Sequence, residues 1–182
     1  MKKLILTLLA LTTMHVGCSL AQSDTNHKQK LKIFESWIGH WQGEGFMKQG
    51  PGEGKRSIID ERLEYKLDGG IILIEGIGKT IDPNSKEEII VHHAIGILSF
   101  NPFGGEYAFK SYLQDSRSTD AWFKATSEHT FEWGFDIPQG GKTKYSIVLN
   151  PNEKTWNEIG EYSRDGNTWM KFFEMNLKKI SN

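Results

Sequence analysis

Over most of this chain, apolar and polar residues take turns. Thr143, Tyr145, Ile147 and Leu149 alternate with Lys142, Lys144, Ser146 and Asn150, and only Val148 breaks the polar side. Phe131, Trp133, Phe135 and Ile137 alternate with Glu132, Gly134 and Asp136; Ile59, Leu63 and Tyr65 alternate with Asp60, Arg62, Glu64 and Lys66. A period of two puts each set on its own face of an extended strand, so these runs predict antiparallel strands wet on one side. Turn-forming clusters separate them, among them Asp68-Gly69-Gly70, Asp82-Pro83-Asn84, Asn101-Pro102, Pro138-Gln139-Gly140-Gly141 and Asn150-Pro151-Asn152. The pattern predicts ten strands, near 40–48, 56–67, 70–80, 88–100, 105–114, 119–126, 129–137, 142–150, 154–164 and 168–178. Ten hairpin-linked strands have two edges to hide, and closure into an up-and-down barrel hides both. The expectation is an all-β, ten-stranded antiparallel barrel; a two-sheet sandwich is the alternative.

Ahead of the strands the spacing is helical. Ile33, Phe34, Trp37 and Ile38 fall on one face of a short amphipathic turn that would lie against the barrel. Residues 22–30 are polar and read as a flexible linker, which leaves 31–180 as the folded domain. Before them, Lys2 and Lys3 precede the apolar run Leu4 to Leu11, and Ser19-Leu20-Ala21 offers small residues for cleavage before Gln22. Residues 1–21 therefore read as a secretory signal peptide, too short in its apolar part to span a bilayer. Export to the periplasm or beyond is expected. His15-Val16-Gly17-Cys18 resembles a lipobox, so Cys18 is a candidate for lipidation and the protein for an outer-membrane lipoprotein; cleavage after Ala21 is the other route.

Composition narrows the chemistry. Cys18 is the only cysteine, so the folded body has no disulfide, thiol nucleophile or cysteine metal ligand. Residues 1–21 hold two lysines and no acids; without them 20 basic and 23 acidic residues leave a net charge of −3, no surface for nucleic acid. Ten Phe, six Trp and five Tyr are many for this length, and small barrels fill or line their interiors with aromatics.

Gly39-His40-Trp41, placed after the short helix and opening the first strand, resembles the G-x-W motif of calycins, whose Trp plugs the closed barrel end. Trp37-Ile38-Gly39-His40-Trp41-Gln42-Gly43-Glu44-Gly45 is similar to the opening of nitrobindin-type barrels. Leu67-Asp68-Gly69-Gly70, Ile95-Gly96-Ile97-Leu98-Ser99-Phe100-Asn101-Pro102 and Gly140-Gly141-Lys142-Thr143-Lys144 resemble an uncharacterised family of exported bacterial lipocalin-like proteins. The resemblance runs from about Phe34 to Lys178 and implies a calycin-type barrel with a short N-terminal helix; it brings no activity. Nitrobindins hold haem iron with a histidine late in the chain. Here the last histidine is His129 and the last two predicted strands have none, so no haem, and no cofactor or metal, is expected.

The candidate site is the set of residues that would line the barrel's interior: Glu61, Tyr65, His93, Trp133, Tyr145, Glu158, Tyr162 and Lys171. A two-residue turn at Asp165-Gly166 would set Gly160 opposite Lys171, leaving Glu158 and Lys171 diagonal neighbours on one face with Trp156, Tyr162, Trp169, Phe173 and Met175. Charges on such a face must be paired or wet. They would fix the polar head of a ligand or form an internal salt bridge. His92 and His93 are adjacent and must face opposite sides; His93 shares parity with Ile89, Val91 and Ile95. The expected function is non-enzymatic binding of a small, largely apolar or amphipathic molecule by an envelope protein. The alternatives are an interaction module with a filled barrel, and a lipocalin-like isomerase or hydrolase using His93 or an acid of raised pKa.

Overall fold

The computed structural model describes residues 28–182 apart from Gln49 and Pro51; the leader, Cys18 and most of the polar linker lie outside the described residues. The protein is a closed ten-stranded antiparallel barrel in which each strand pairs with its sequence neighbours and the first pairs with the last. The strands are β1 (Gly39–Met47), β2 (Lys55–Lys66), β3 (Ile71–Ile81), β4 (Glu88–Asn101), β5 (Glu106–Leu113), β6 (Ser118–Ala125), β7 (Thr130–Asp136), β8 (Lys142–Asn150), β9 (Thr155–Ser163) and β10 (Met170–Ser181). Closure leaves no edge, so the sandwich alternative falls.

Residues 28–30, read from sequence as linker, are already helical and run into a tight turn, Lys32–Phe34. Its buried face is Leu31, Phe34 and Trp37, a spacing of three, while Ile33 and Ile38 are only half-buried. The reason is the winding: a 3₁₀ turn has three residues per turn, so i, i+3 and i+6 share a face.

That segment plugs one end of the barrel. Phe34 packs edge-on against Tyr107 and Phe123 with ring centres at 5.3 and 5.6 Å, and Trp37 stacks over Phe131 at 5.4 Å. Trp41 meets Trp156 at 5.8 Å and donates its indole N–H to the Trp37 carbonyl at 2.8 Å. Gly39 is needed for this: its φ is +131°, and a Cβ would lie 2.5 Å from the Ser181 carbonyl. The strand direction puts the loops after β1, β3, β5, β7 and β9 at the opposite, open end.

Candidate functional site

Each strand sends alternate residues inward, and the cross-strand register identifies them. Glu61 lies opposite Trp41 and Gly76, Gly76 opposite Ala94, Trp133 opposite Phe123 and Tyr145, Tyr145 opposite Gly160, and Glu158 opposite Met175 and Ile147. Towards the plug the inward residues Leu63, Ile72, Leu98, Phe131 and Leu177 are buried. Towards the open end the inward residues change character. On β1 to β4 the small residues Gly45, Ser57, Gly76, Gly78 and Ala94 share the inward face with Ile59, Glu61 and His92. On β7, β8 and β10 the inward residues are aromatic: Trp133, Phe135, Tyr145 and Phe173, all half-buried. Side chains that point into a closed barrel and still keep accessible surface line a chamber.

The small residues let their neighbours lie flat on the wall. A Cβ on Gly76 would meet the Glu61 carboxylate at 2.5 Å, one on Gly45 would meet Ile59 at 2.8 Å, and one on Gly96 the Phe109 ring at 2.7 Å. On the aromatic wall Trp133 stacks on Tyr145 with centres 3.9 Å apart and planes at 4°. Tyr145 in turn touches both Phe172 and Phe173 edge-on, at 5.7 and 5.9 Å. Two successive residues reach one ring because the register slips between Lys171 and Phe173, leaving Phe172 as an extra, unpaired residue. Such a bulge re-aims a side chain.

At the chamber's floor sit two carboxylates, Glu61 across from Trp41 and Glu158 one inward position beyond Trp156. Glu158 is 5 % exposed and its Oε1 accepts the Trp133 indole N–H at 3.0 Å. Glu61 is half-buried against Gly76 and has no hydrogen-bond or ion-pair partner among the described residues. Burial pushes Glu61 up to about 8, and the nearby Glu158 charge adds to the effect. Burial likewise raises Glu158 to about 7, opposed by the Trp133 and Trp156 indoles. Trp156 acts only by proximity, since its buried N–H lacks hydrogen-bond geometry to any acceptor. Tyr145 is pushed upward first by burial and then by the Glu158 charge. Low dielectric disfavours the charged form of each, so both carboxyls keep their protons to higher pH than exposed glutamates do.

Other expected site residues fall elsewhere. Tyr65 faces the plug and donates its hydroxyl to the Leu31 carbonyl at 3.1 Å, so it anchors the helix. Tyr162 is half-buried at the open rim, its ring against Gly141. Lys171 is corrected: it is on the outer face, with Nζ 2.7 Å from Glu174. The Asp165 loop is the cause. Asp165 Oδ1 accepts the Asn167 and Thr168 N–H groups at 2.8 and 2.9 Å, widening the turn so that Tyr162 pairs with Met170, and the bulge at Phe172 adds a second shift. Gly160 therefore pairs with Phe173 rather than Lys171, and no Glu158–Lys171 bridge forms. His93 is also corrected. It faces outward, with Nε2 3.0 Å from Glu75, while His92 faces the chamber near its mouth and burial lowers its pKa. The Phe172 rung was missed altogether.

The outer wall has two mixed-charge grooves. One, of about 460 Å³, runs beside Gln42, Asp60, Arg62, Glu75, Lys79 and Glu88; the other, of about 540 Å³, beside Glu44, Arg56, Lys171 and Glu174. Their charges pair with one another, as in Lys79–Glu88 at 2.8 Å and Arg56–Glu44 at 3.7 Å, so they place no unmet chemical demand on a ligand. Among the described residues no group of three or more His, Cys, Asp or Glu could hold a metal. No protein-family model matches the chain, and no curated protein matches it.

Proposed function

We propose that this protein binds a small, largely apolar molecule in the open half of its barrel and does no chemistry on it. The observation that carries the reading is the contrast inside one lumen: sealed packing at the plug, and towards the open end the inward Trp133, Phe135, Tyr145 and Phe173, all only half-buried. Concave apolar pockets with a few convergent polar groups are the usual form of a small-molecule site. Glu61 and Glu158 would be those polar groups. No nucleophile or histidine is paired with either among the described residues, which weighs against the isomerase or hydrolase alternative. The likeness of Gly39-His40-Trp41 to the calycin motif, and the leader-like residues 1–21, are in keeping with an exported, lipocalin-like carrier.

The test is native mass spectrometry of the mature protein purified from its own envelope fraction, before and after solvent extraction. A stoichiometric extra mass removed by extraction supports the binder. A bare chain that stays bare after exposure to fatty acids, isoprenoids and haem contradicts it. A second reading is favoured by the exposed Ile81, Ile89, Ile90 and Val91, which crowd the open end of the β3–β4 hairpin. Patches of this kind mark protein contacts, and a bare chain that co-purifies with a stoichiometric partner would turn the account to that interaction module.

A further inference from the structure

We propose that the outer face of β3 and β4 is the interface of a homodimer, in which two copies of this barrel pack their apolar walls together side by side. The inference does not depend on what the lumen holds.

These two strands are unlike most of the wall. In β2, β7 and β8 apolar and polar residues alternate, as in strands wet on one side, whereas Ile71-Ile72-Leu73-Ile74 and Ile95-Gly96-Ile97-Leu98 are unbroken apolar runs. Such runs belong to strands covered on both faces. Ile72, Ile74 and Leu98 are buried inside the barrel. On the outer face the register sets Leu73 opposite Ile97, Ile95 opposite Tyr112, and Lys79 between Ile58 and Ile90. These residues stay in solvent: Ile95 is 39 % exposed, Tyr112 46 %, Ile90 50 % and Ile58 57 %. Half a turn around the barrel, on β8 to β10, the outward residues are mostly polar: Lys144, Ser146, Asn157, Glu161, Glu174 and Asn176. One side of the exterior is therefore built for water and the other for a cover.

Area and charge point to a second copy as that cover. The exposed apolar side chains of this face make up on the order of 600 Å², the most a monomer usually leaves open, and with the charges among them it approaches the roughly 800 Å² each partner gives to a standard interface. Those charges are matched within the face, His93 Nε2 lying 3.0 Å from Glu75 and Lys79 Nζ 2.8 Å from Glu88. Each acid there has its own base, so the face does not repel a copy of itself. A two-fold axis brings the same patch of each subunit together and needs this self-complementarity.

Other occupants fit less well. A closed barrel has no edge, so a partner cannot add a strand and must pack face to face, at the roughly 10 Å spacing of stacked sheets. A bilayer would take both ion pairs out of water and offer them no new partners. The residues that lead into Lys28, Gln22 to His27, are all polar and have nothing apolar to lay on the face.

The experiment is sedimentation velocity of the mature protein from about 1 to 100 µM, a range that brackets a dimer of moderate affinity. A reversible species of twice the chain mass is expected. Ile95→Lys should raise its dissociation constant at least about tenfold, because it sets like charges against each other across the axis. Ile58→Glu repeats the test at a more exposed position, where packing constrains the fold less. Circular dichroism of both variants should match the parent. Val148→Lys, exposed on the far wall, should leave the dimer unchanged. A dimer that survives both face variants, or that Val148→Lys breaks, overturns the proposal. A monomer at the highest concentration overturns it too, and flotation of that monomer with phosphatidylcholine vesicles would assign the face to lipid instead.

Discussion

The two halves of this barrel are built from the same ten strands and the same alternation, yet they do opposite things with their inward faces. At the plugged end the inward and helical residues are large and meet across the axis: Phe34, Trp37, Trp41, Phe131 and Trp156 form one continuous aromatic cluster with Leu63, Ile72, Leu98 and Leu177 around it. At the open end the inward Trp133, Phe135, Tyr145 and Phe173 keep accessible surface, while Gly45, Gly76 and Gly78 are buried beneath Ile59, Glu61 and His92. The lesson is that a barrel of fixed strand number is opened or closed by how side-chain volume is distributed around a level, not by how apolar the level is.

The largest expected effect sharpens that contrast. Trp41→Ala removes a ring packed against Trp156 and a hydrogen bond to Trp37, and should cost about 3–5 kcal/mol in urea unfolding. Phe135→Ala, inward but half-buried at the mouth, should cost about 1 kcal/mol. Equal costs would mean that the open half is packed as the plug is.

Next comes pH. Glu61 and Glu158 have folded pKa values above the ordinary 4.5, so the folded protein keeps protons the unfolded chain has released. Their contribution to stability is full below pH 4.5 and is lost as pH rises through about 7 and 8. Glu158→Gln should therefore raise stability near pH 8 by on the order of 2–3 kcal/mol and hardly change it near pH 4, read as the shift in urea midpoint at each pH.

A smaller change probes the aromatic wall, where Gly160 lies between Tyr145 and Phe173. Gly160→Ala would place a Cβ 2.8 Å from Tyr145 and 2.9 Å from Phe173, and should destabilise by about 1–3 kcal/mol and alter tryptophan fluorescence through the Trp133–Tyr145 stack. The smallest effect belongs to the outer face: Lys171→Ala should stay within about 0.5 kcal/mol, since its bridge to Glu174 is exposed. A large loss there would return Lys171 to the interior.

How much of this was legible in the residues depends on the strand. All ten strands could be read, because where one face is buried and the other wet the alternation is clean, as in β2, β7 and β8. The inward facing of Glu158, Trp133 and Tyr145 was legible for the same reason. Lys171 was misplaced because facing sense depends on counting through the turn. Asp165 collects two backbone N–H groups and lengthens that turn, and the bulge at Phe172 shifts the count again. His92 and His93 could not be told apart by pattern, since β4 also carries Ile89, Val91 and Ile95 on accessible surface, where apolar residues give no inward signal. The pairing of Glu61 with Glu158 was invisible along the chain: β2 and β9 are brought together only by closure through β1 and β10.

The measurement that tests the account most directly is a pH titration of the glutamate carboxyl carbons by NMR, with Glu61→Gln and Glu158→Gln used to assign the two resonances. The account predicts two carboxyls that titrate well above the rest, near 8 for Glu61 and 7 for Glu158, with the first moving down when Glu158 is neutralised. Two carboxyls that titrate close to 4.5 and ignore each other's substitution would contradict it, and with it the buried acid floor on which the binding site depends.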